Sequence, residues 1–405
     1  MEPILAGVRI IEVAQWWFVP AAGAVLADWG ADVLKIEHPV SGDPQRGLMT
    51  SGLIPSTGGI NFMVEQPNRG KRSIGIDLSH PKGLELLHRL VESADVFLTN
   101  FLPAARRRLR IDLEDIRRVN PKIIYVRGHG HGVRGPDNEK GGYDAASFWC
   151  RGGIGQALTP PSANAPIMQR AAFGDSTGAL AIAGGIAAAL FHRERTGEGL
   201  EVDVSLLGNA VWVLAPDIVA AMAYGFELPR AGEMPGVPNA LVNTYPCADG
   251  RQLVLMMLQH DRYWPIFCKA VRREDWLADP RFNPDPVRAQ NQADLVAELK
   301  AMFAGQPRGH WAALLNESEC IWGPVQSPLE VVEDRQVVAN HYILDVERAG
   351  AESVRVSASP VQFNGEPPEV RNGAPDVGAD TEAVLLEMGC SWEDLAGWKE
   401  AGIIS

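Results

Sequence analysis

Cysteine is scarce and scattered in this chain. Its 405 residues include five, Cys150, Cys247, Cys268, Cys320 and Cys390. The number is odd and no two form a C-x-x-C pair. That argues against a disulfide framework and a thiolate zinc site, and it fits a reducing compartment. An excess of positive charge is also missing. Lys and Arg number 37 against 50 Asp and Glu, a net charge of −13, which speaks against a protein that coats nucleic acid. The opening MEPILAGVRIIEVAQ has no basic segment followed by a long apolar one, so no secretory signal is expected. No apolar run reaches the roughly 20 residues that span a bilayer. The nearest candidate, between Asp175 and Arg193, has 17 residues rich in Gly and Ala and reads as a buried, closely packed helix. A cytoplasmic protein without membrane or nucleic-acid partners is the expectation. Fixed-period repeats and low-complexity runs are absent too. What remains is an ordinary globular composition, 46% hydrophobic, 21% charged and 7% aromatic, in a chain long enough for two to three domains of about 150 residues.

The pattern along the chain alternates strands and helices. Residues 8–13 form a β-branched apolar run, 21–29 suit a helix and 32–36 a second strand. Residues 73–77, 95–99 and 122–126 read as further strands. A helix over 81–93 has Ser79 as its expected N-cap and Pro81 just inside. The alternation predicts a parallel sheet of Rossmann type. Residues 128–170 are rich in Gly and Pro and read as irregular. A strong helix is expected over 177–195, a strand over 200–206, and another helix over 207–225. A linker over 228–245 leads to a hairpin turning at Asp249-Gly250 and to helices between 262 and 318. One more extended segment and a single amphipathic helix near 380–403 are expected at the end. The predicted domains are 1–225, 226–330 (small, α+β) and 331–405, the last returning to the first.

Three motifs compete to carry chemistry. Gly130-His131-Gly132-Val133-Arg134-Gly135 spells G-x-G-x-x-G after a strand. A dinucleotide site needs a helix at once to hold the pyrophosphate, and Pro136-Asp137-Asn138 follow instead. His129 and His131 form an H-x-H pair, but catalytic zinc takes about three protein ligands, so no metal is expected. Gly174-Asp175-Ser176-Thr177-Gly178 opens the Gly/Ala helix and has two readings. As a nucleophile elbow it would use Ser176, which needs a histidine and an orienting acid; His192, His260, His310 and His341 follow it in the chain. Alternatively Asp175 attacks. With an ordinary carboxylate pKa near 3.9 it would be ionised at pH 7, and the free N–H groups at a helix start would steady charge beside it. Asp is also a common structural N-cap. Basic residues cluster at Arg69, Lys71 and Arg72 and at Arg106, Arg107, Arg108 and Arg110. The second cluster follows a strand end beside Asn100 and Phe101, a plausible phosphate seat; a solvated helix face is its plainer reading. Trp16-Trp17-Phe18 after the first strand either packs under its loop or stacks on a ligand ring.

Read together, these pieces resemble the family III CoA-transferases (CaiB/BaiF family). The resemblance covers nearly the whole chain. It rests on L-x-G-V-R-I-I-E-V and L-A-D-W-G-A-D-V-L-K-I-E-H-P with Gly42-Asp43-Pro44 and Arg46, on N-R-G-K-R-S-I at 68–74, and on Asn100-Phe101 with Pro103. R-T-G-E-G at 195–199, Pro280-Arg281-Phe282 and Gly402-Ile403-Ile404 complete it. The resemblance implies an acyl-CoA:carboxylate CoA-transferase whose nucleophile is Asp175, working through an acyl-aspartyl anhydride and an aspartyl-CoA thioester. It implies CoA contacts at Trp16, Trp17, Phe18, His38, Ile76, Asn100, Phe101, Arg108, Leu109, Tyr143 and Asp144. CoA and acyl-CoA enter as substrates, and no cofactor is expected to be held permanently. It further implies a Rossmann-like large domain built from both chain ends, a small α+β domain between, and a homodimer of two interlocked rings.

The chain also departs from its relatives. Some carry a basic residue at His38 and a lysine at Ser79, and phenylalanine is common at His131. A glycine-rich flap of formyl-CoA transferases is missing near Leu258-Gln259-His260-Asp261, which argues against formate or oxalate; Gln259 and His260 are candidates to touch a polar acyl group instead. α-Methylacyl-CoA racemases share the fold and pair the aspartate with a histidine. Here that position is Tyr143, a poor base at neutral pH, leaving His129 or His131 as substitutes. A serine hydrolase acting through Ser176 and a non-catalytic CoA-binding protein stay open beside the racemase.

Overall fold

A computed structural model of the protein describes residues 2–49, 51–52, 59–230, 233, 238–348 and 350–405. Six strands form one sheet: β1 Arg9–Val13, β2 Asp32–Glu37, β3 Arg72–Gly75, β4 Val96–Thr99, β5 Ile124–His129 and β6 Glu201–Ser205. Their order is β3-β2-β1-β4-β5-β6 and every pairing is parallel. This is the order of a doubly wound sheet, with the switch between β1 and β4. The central strands are rich in apolar residues because both faces are covered, with Glu12 of β1 a buried charge among them. Ile10, Val96, Leu98, Ile124 and Val126 pack with helices Phe18–Asp28 and Phe173–Thr196 on one side. Ile11, Val13, Phe97 and Tyr125 pack with Pro81–Glu92 and the C-terminal helices on the other.

The chain divides into two compact units. The first holds this sheet and comprises the residues through Thr159, Ala163–Leu228 and Gln336–Ser405; the second comprises Pro160–Ser162 and Pro229–Arg335. The second unit has a three-stranded antiparallel sheet of β7 Val242–Pro246, β8 Gln252–Met256 and β9 Trp322–Val325. Its core is aromatic, with Tyr245, Trp264, Phe267, Trp276, Phe282 and Phe303 buried. The hairpin between β7 and β8 turns through Asp249 and Gly250, whose φ of 74° suits glycine. Of the expected linker, residues 231–232 and 234–237 lie outside the described set.

Several elements differ from the sequence expectation for local reasons. His80, not Ser79, caps Pro81–Glu92: its Nδ1 accepts from Lys82 N, while the Ser79 hydroxyl turns to Asp77. The helix expected over 207–225 is two, Leu206–Val213 and Ala215–Tyr224, bent by 73° at Leu214, just before Pro216. The C-terminal segment is a hairpin, β10 Ile343–Arg348 and β11 Ala351–Ser357, then helices Thr381–Glu387 and Trp392–Glu400, split around Gly389 at φ 82°. Residues 128–170 are less irregular than expected, with helical turns at Ala145–Cys150 and Ile154–Leu158. The long helix Phe173–Thr196 has 24 residues and is long and apolar enough to cross a membrane on length and composition alone. Only part of it is buried. Ala179, Ile182, Ala183, Ile186 and Ala189 lie in the core shared with Phe18–Asp28, while Phe191 is exposed.

Candidate active site

Asp175 sits in the first turn of the long helix. Ala172, at φ 62°, turns the incoming chain so that the helix begins at Phe173. The preceding glycine is dictated by space. A Cβ on Gly174 would stand 2.2 Å from Phe148 Cγ and 2.5 Å from Asp144 Oδ1. Both Asp144 oxygens accept from Gly174 N, at 3.1 and 3.0 Å. The helix cap is therefore a carboxylate from a distant loop. This corrects two expectations. The Gly174 N–H is taken by Asp144 and is not free to steady charge beside Asp175, and Asp175 does not have an ordinary carboxylate pKa. Burial, and secondly the Asp144 charge, push it up to about 8. The helix N-terminus favours the charge on Asp144 instead, although burial still raises that group.

The walls around Asp175 come from the carboxyl ends of the strands. After β1, Trp16 takes a left-handed backbone, φ 69°, that non-glycine residues rarely adopt. Two clamps hold it there. Its N–H donates to Asp43 Oδ1 at 3.1 Å, and neighbouring Gln15 exchanges two hydrogen bonds with the Asn100 amide after β4. Asp43 is itself anchored from beneath, with Oδ2 3.0 Å from Lys35 Nζ. Lys35 and Lys71 both pair with Glu12, and all three side chains are fully buried. Trp16 then packs edge-on against Tyr143, with ring centroids 5.5 Å apart.

Three adjacent cavities result. The first, about 410 Å³, is lined by the loops after β1, β4 and β5 and by Tyr143, Asp144 and Asp175. The second, about 400 Å³, shares Trp16, Tyr143, Asp144 and Asp175 with the first and adds Trp17, Leu48, Met63 and Arg170–Ala172. The third, about 300 Å³, adjoins the first at Gln15, Phe101 and Arg108 and runs under the loops after β2 and β3. Asp175 thus stands on the wall common to the first two.

The family model of CoA-transferase family III matches residues 5–381. The chain belongs to this family. It is 31% identical over 401 residues to the (R)-2-hydroxy-4-methylpentanoate CoA-transferase of Clostridioides difficile, covering 99% of each chain. The cinnamoyl-CoA:phenyllactate CoA-transferase of Clostridium sporogenes is 28% identical over 393 residues, 97% of this chain and 95% of that one. A crystal structure of a CAIB/BAIF family protein from Brucella suis superposes with a TM-score of 0.80 at 27% identity, over 96% of this chain and all of that one. This family III CoA-transferase is an enzyme that handles CoA thioesters.

In this CoA-transferase each of the eleven residues expected to contact CoA lies on a wall of the three cavities. Trp16, Phe18, Asn100, Phe101, Arg108, Tyr143 and Asp144 line the first, Trp17 the second, and His38, Ile76 and Leu109 the third. Their roles differ in kind. Phe18 and Ile76 are buried core residues as well as cavity lining. The Asn100 amide is engaged with Gln15, and Asp144 with the helix start. His38 Nδ1 accepts from Val40 N and Ser41 N. The first basic cluster is not a phosphate seat, because Arg69 pairs with Asp28, Lys71 with Glu12 and Arg72 with Asp32. In the second, Arg106 pairs with Asp112 and Arg107 with Glu139. Arg108 is exposed and has no hydrogen bond or ion pair among the described residues.

The competing motifs find no matching geometry. A loop, not a strand, precedes Ser176, whose Oγ accepts from Trp17 Nε1 at 3.1 Å. His129 Nε2 is held 3.1 Å from Asp203. Gln259 and His260 belong to the second unit, where His260 meets Asp285 at 3.0 Å and Arg288 pairs with both Asp285 and Asp261. Sequence reading missed Asp43, Leu48, Met63 and Arg170 as parts of the site. The signal for Asp43 was its place in the Gly42-Asp43-Pro44 motif, and for Arg170 the polar stretch before Asp175.

Proposed function

We propose that this CoA-transferase moves CoA from an acyl-CoA donor to a carboxylic acid through covalent intermediates on Asp175. The supporting observation is the Asp175 carboxylate on the wall shared by two cavities, within reach of a thioester carbonyl between them, while the other carboxylate there, Asp144, is tied to Gly174 N. An Asp175 oxygen attacks the thioester carbon, the C–S bond breaks, and an acyl-aspartyl anhydride forms with CoA thiolate as leaving group. The thiolate attacks the aspartyl carbonyl, releasing the donor acid and leaving an aspartyl-CoA thioester. The acceptor carboxylate attacks that carbonyl and expels the thiolate, which then takes the new acyl group and frees Asp175. A carboxylate suits this exchange, since an anhydride returns its acyl group to a thiolate and a serine ester does so poorly.

In this reading the third cavity and the outer part of the first hold the nucleotide end of CoA, and the second cavity holds the acyl group. Incubation with a panel of acyl-CoAs followed by intact-mass analysis tests the proposal. A CoA-sized or acyl-sized adduct on the Asp175 peptide, removed by hydroxylamine and retained in Ser176→Ala, is the expected result. An adduct on Ser176 would favour the hydrolase. Deuterium uptake at the α-carbon with no adduct would favour the racemase.

The unpartnered Arg108 guanidinium lies where the first and third cavities meet, suited to a CoA phosphate. Arg108→Ala is expected to raise the Kd for CoA roughly 10- to 100-fold, the strength of a charge-assisted hydrogen bond. Calorimetric titration with CoA measures it, and an unchanged Kd removes Arg108 from the site.

We further propose that two copies associate. Phe191 on the long helix, Trp212, Met222 and Tyr224 on the bent pair after it, and Phe226 just beyond are exposed, Trp212 by 80%. Apolar surface of this kind marks an interface. Light scattering is expected to give twice the chain mass of 43.9 kDa; a monomer at micromolar concentration would overturn this.

A further inference from the structure

The second cavity is mostly apolar. Trp16, Trp17, Leu48, Met63 and Ala172 supply much of its wall. Its polar groups are largely engaged elsewhere. Gln45 Nε2 donates to Met63 O at 2.5 Å, and Asp144 caps the long helix. Gln169 Oε1 is buried with no hydrogen-bond partner among the described residues, and the cation left unpaired is Arg170. It lines the same cavity as Asp175, is exposed, and has no hydrogen bond, ion pair or ring contact among the described residues. None of the residues outside the described set is an Asp or Glu, so none supplies it with a carboxylate. Nor is Asp175 its partner: burial and Asp144 perturb that carboxyl, and Arg170 does not. One apolar cavity therefore carries a nucleophile on its wall and an uncompensated cation apart from it.

Filling such a cavity with a purely apolar chain would strip water from the guanidinium and return nothing. A chain ending in a second carboxylate would give Arg170 a bidentate partner while its methylenes lie against the indoles. We infer that the second cavity takes acyl groups with a carboxylate at the far end, that is, dicarboxylic acids and their mono-CoA thioesters, and that Arg170 reads that carboxylate. The inference rests on Asp175 being the acyl-accepting nucleophile.

Isotope exchange tests it without knowledge of the second substrate. Labelled glutarate exchanging into glutaryl-CoA is compared with labelled pentanoate exchanging into pentanoyl-CoA, a pair with the same carbon chain and one carboxylate of difference. The wild-type enzyme is expected to favour the glutarate pair by at least about 10-fold in kcat/KM. Arg170→Gln is expected to raise KM for glutarate about 10- to 100-fold with little change in kcat, so that the preference collapses, and Arg170→Lys to restore part of it. A wild-type preference for pentanoate, or an equal loss on both pairs in Arg170→Gln, overturns the inference. So does labelling of Asp175 by other acyl-CoAs when neither pair exchanges. Failure of every acyl-CoA to label Asp175 instead overturns the nucleophile assignment beneath it.

Discussion

Asp175→Ala is expected to lower CoA transfer by about 10⁴-fold or more, the scale on which losing a covalent nucleophile is felt. The variant should still bind CoA, because the groups suited to the nucleotide stand in the other cavities. Steady-state transfer and the adduct mass measure the loss; turnover within about 10-fold of wild type would mean that the chemistry lies elsewhere. Asp175→Asn separates folding from function. With its pKa raised to about 8, Asp175 is protonated in the fold at pH values where the unfolded chain has it ionised. The native state then binds more protons, so this group's contribution to stability falls as pH rises from about 4 to about 8. An amide has no such term. Asp175→Asn should therefore be inactive with a Tm at pH 8 no lower than wild type, and a marked drop in Tm would deny that the aspartate is held at a cost.

The same proton predicts a steep pH dependence. Attack needs the ionised carboxylate, and a group with pKa about 8 is ionised only to about 1% at pH 6, so kcat/KM should be about 100-fold below its plateau there. Asp144→Asn removes the neighbouring like charge while its amide oxygen can still accept from Gly174 N. The rising limb should then move to lower pH, and activity at pH 6 relative to plateau should increase. It should remain above the ordinary carboxylate range, because burial is the larger cause. A limb unmoved by Asp144→Asn would mean that the two carboxylates do not sense each other, and a limb near pH 4 in the wild type would mean that Asp175 is ionised in the fold.

What could be read from the sequence follows from what each residue needs. Strands such as Arg9–Val13 and Val96–Thr99 are legible because burial on both faces demands mainly apolar, β-branched or aromatic residues. The motif at 174–178 was legible as a site, but the state of Asp175 was not. Its pKa depends on Asp144, thirty-one positions away, and on burial that no local pattern encodes. Helix limits failed where His80 took the cap expected of Ser79 and where the chain bent just before Pro216 inside an apolar stretch. Arg69 and Lys71 look like surface basics in the sequence, and only the fold shows their carboxylates. Arg170 was invisible for the opposite reason: a single arginine acquires meaning only when the fold shows that no neighbouring carboxylate pairs with it among the described residues.

The sheet-bearing unit is written in separated stretches, and its last pieces come from residues far along the chain. Asp380 accepts from Ser73 N, Thr381 from Gly75 N, and Ile404 bridges Ile76. During synthesis β3 and its neighbours must therefore wait for about 300 more residues before these partners emerge, while Pro229–Arg335 can complete its own core first. Contacts of such long sequence separation slow folding and leave sheet surface open meanwhile. Released chains should acquire the aromatic core of the second unit before CoA affinity, and a ribosome stalled ahead of residue 380 should hold an unfinished sheet edge at β3 that chaperones recognise.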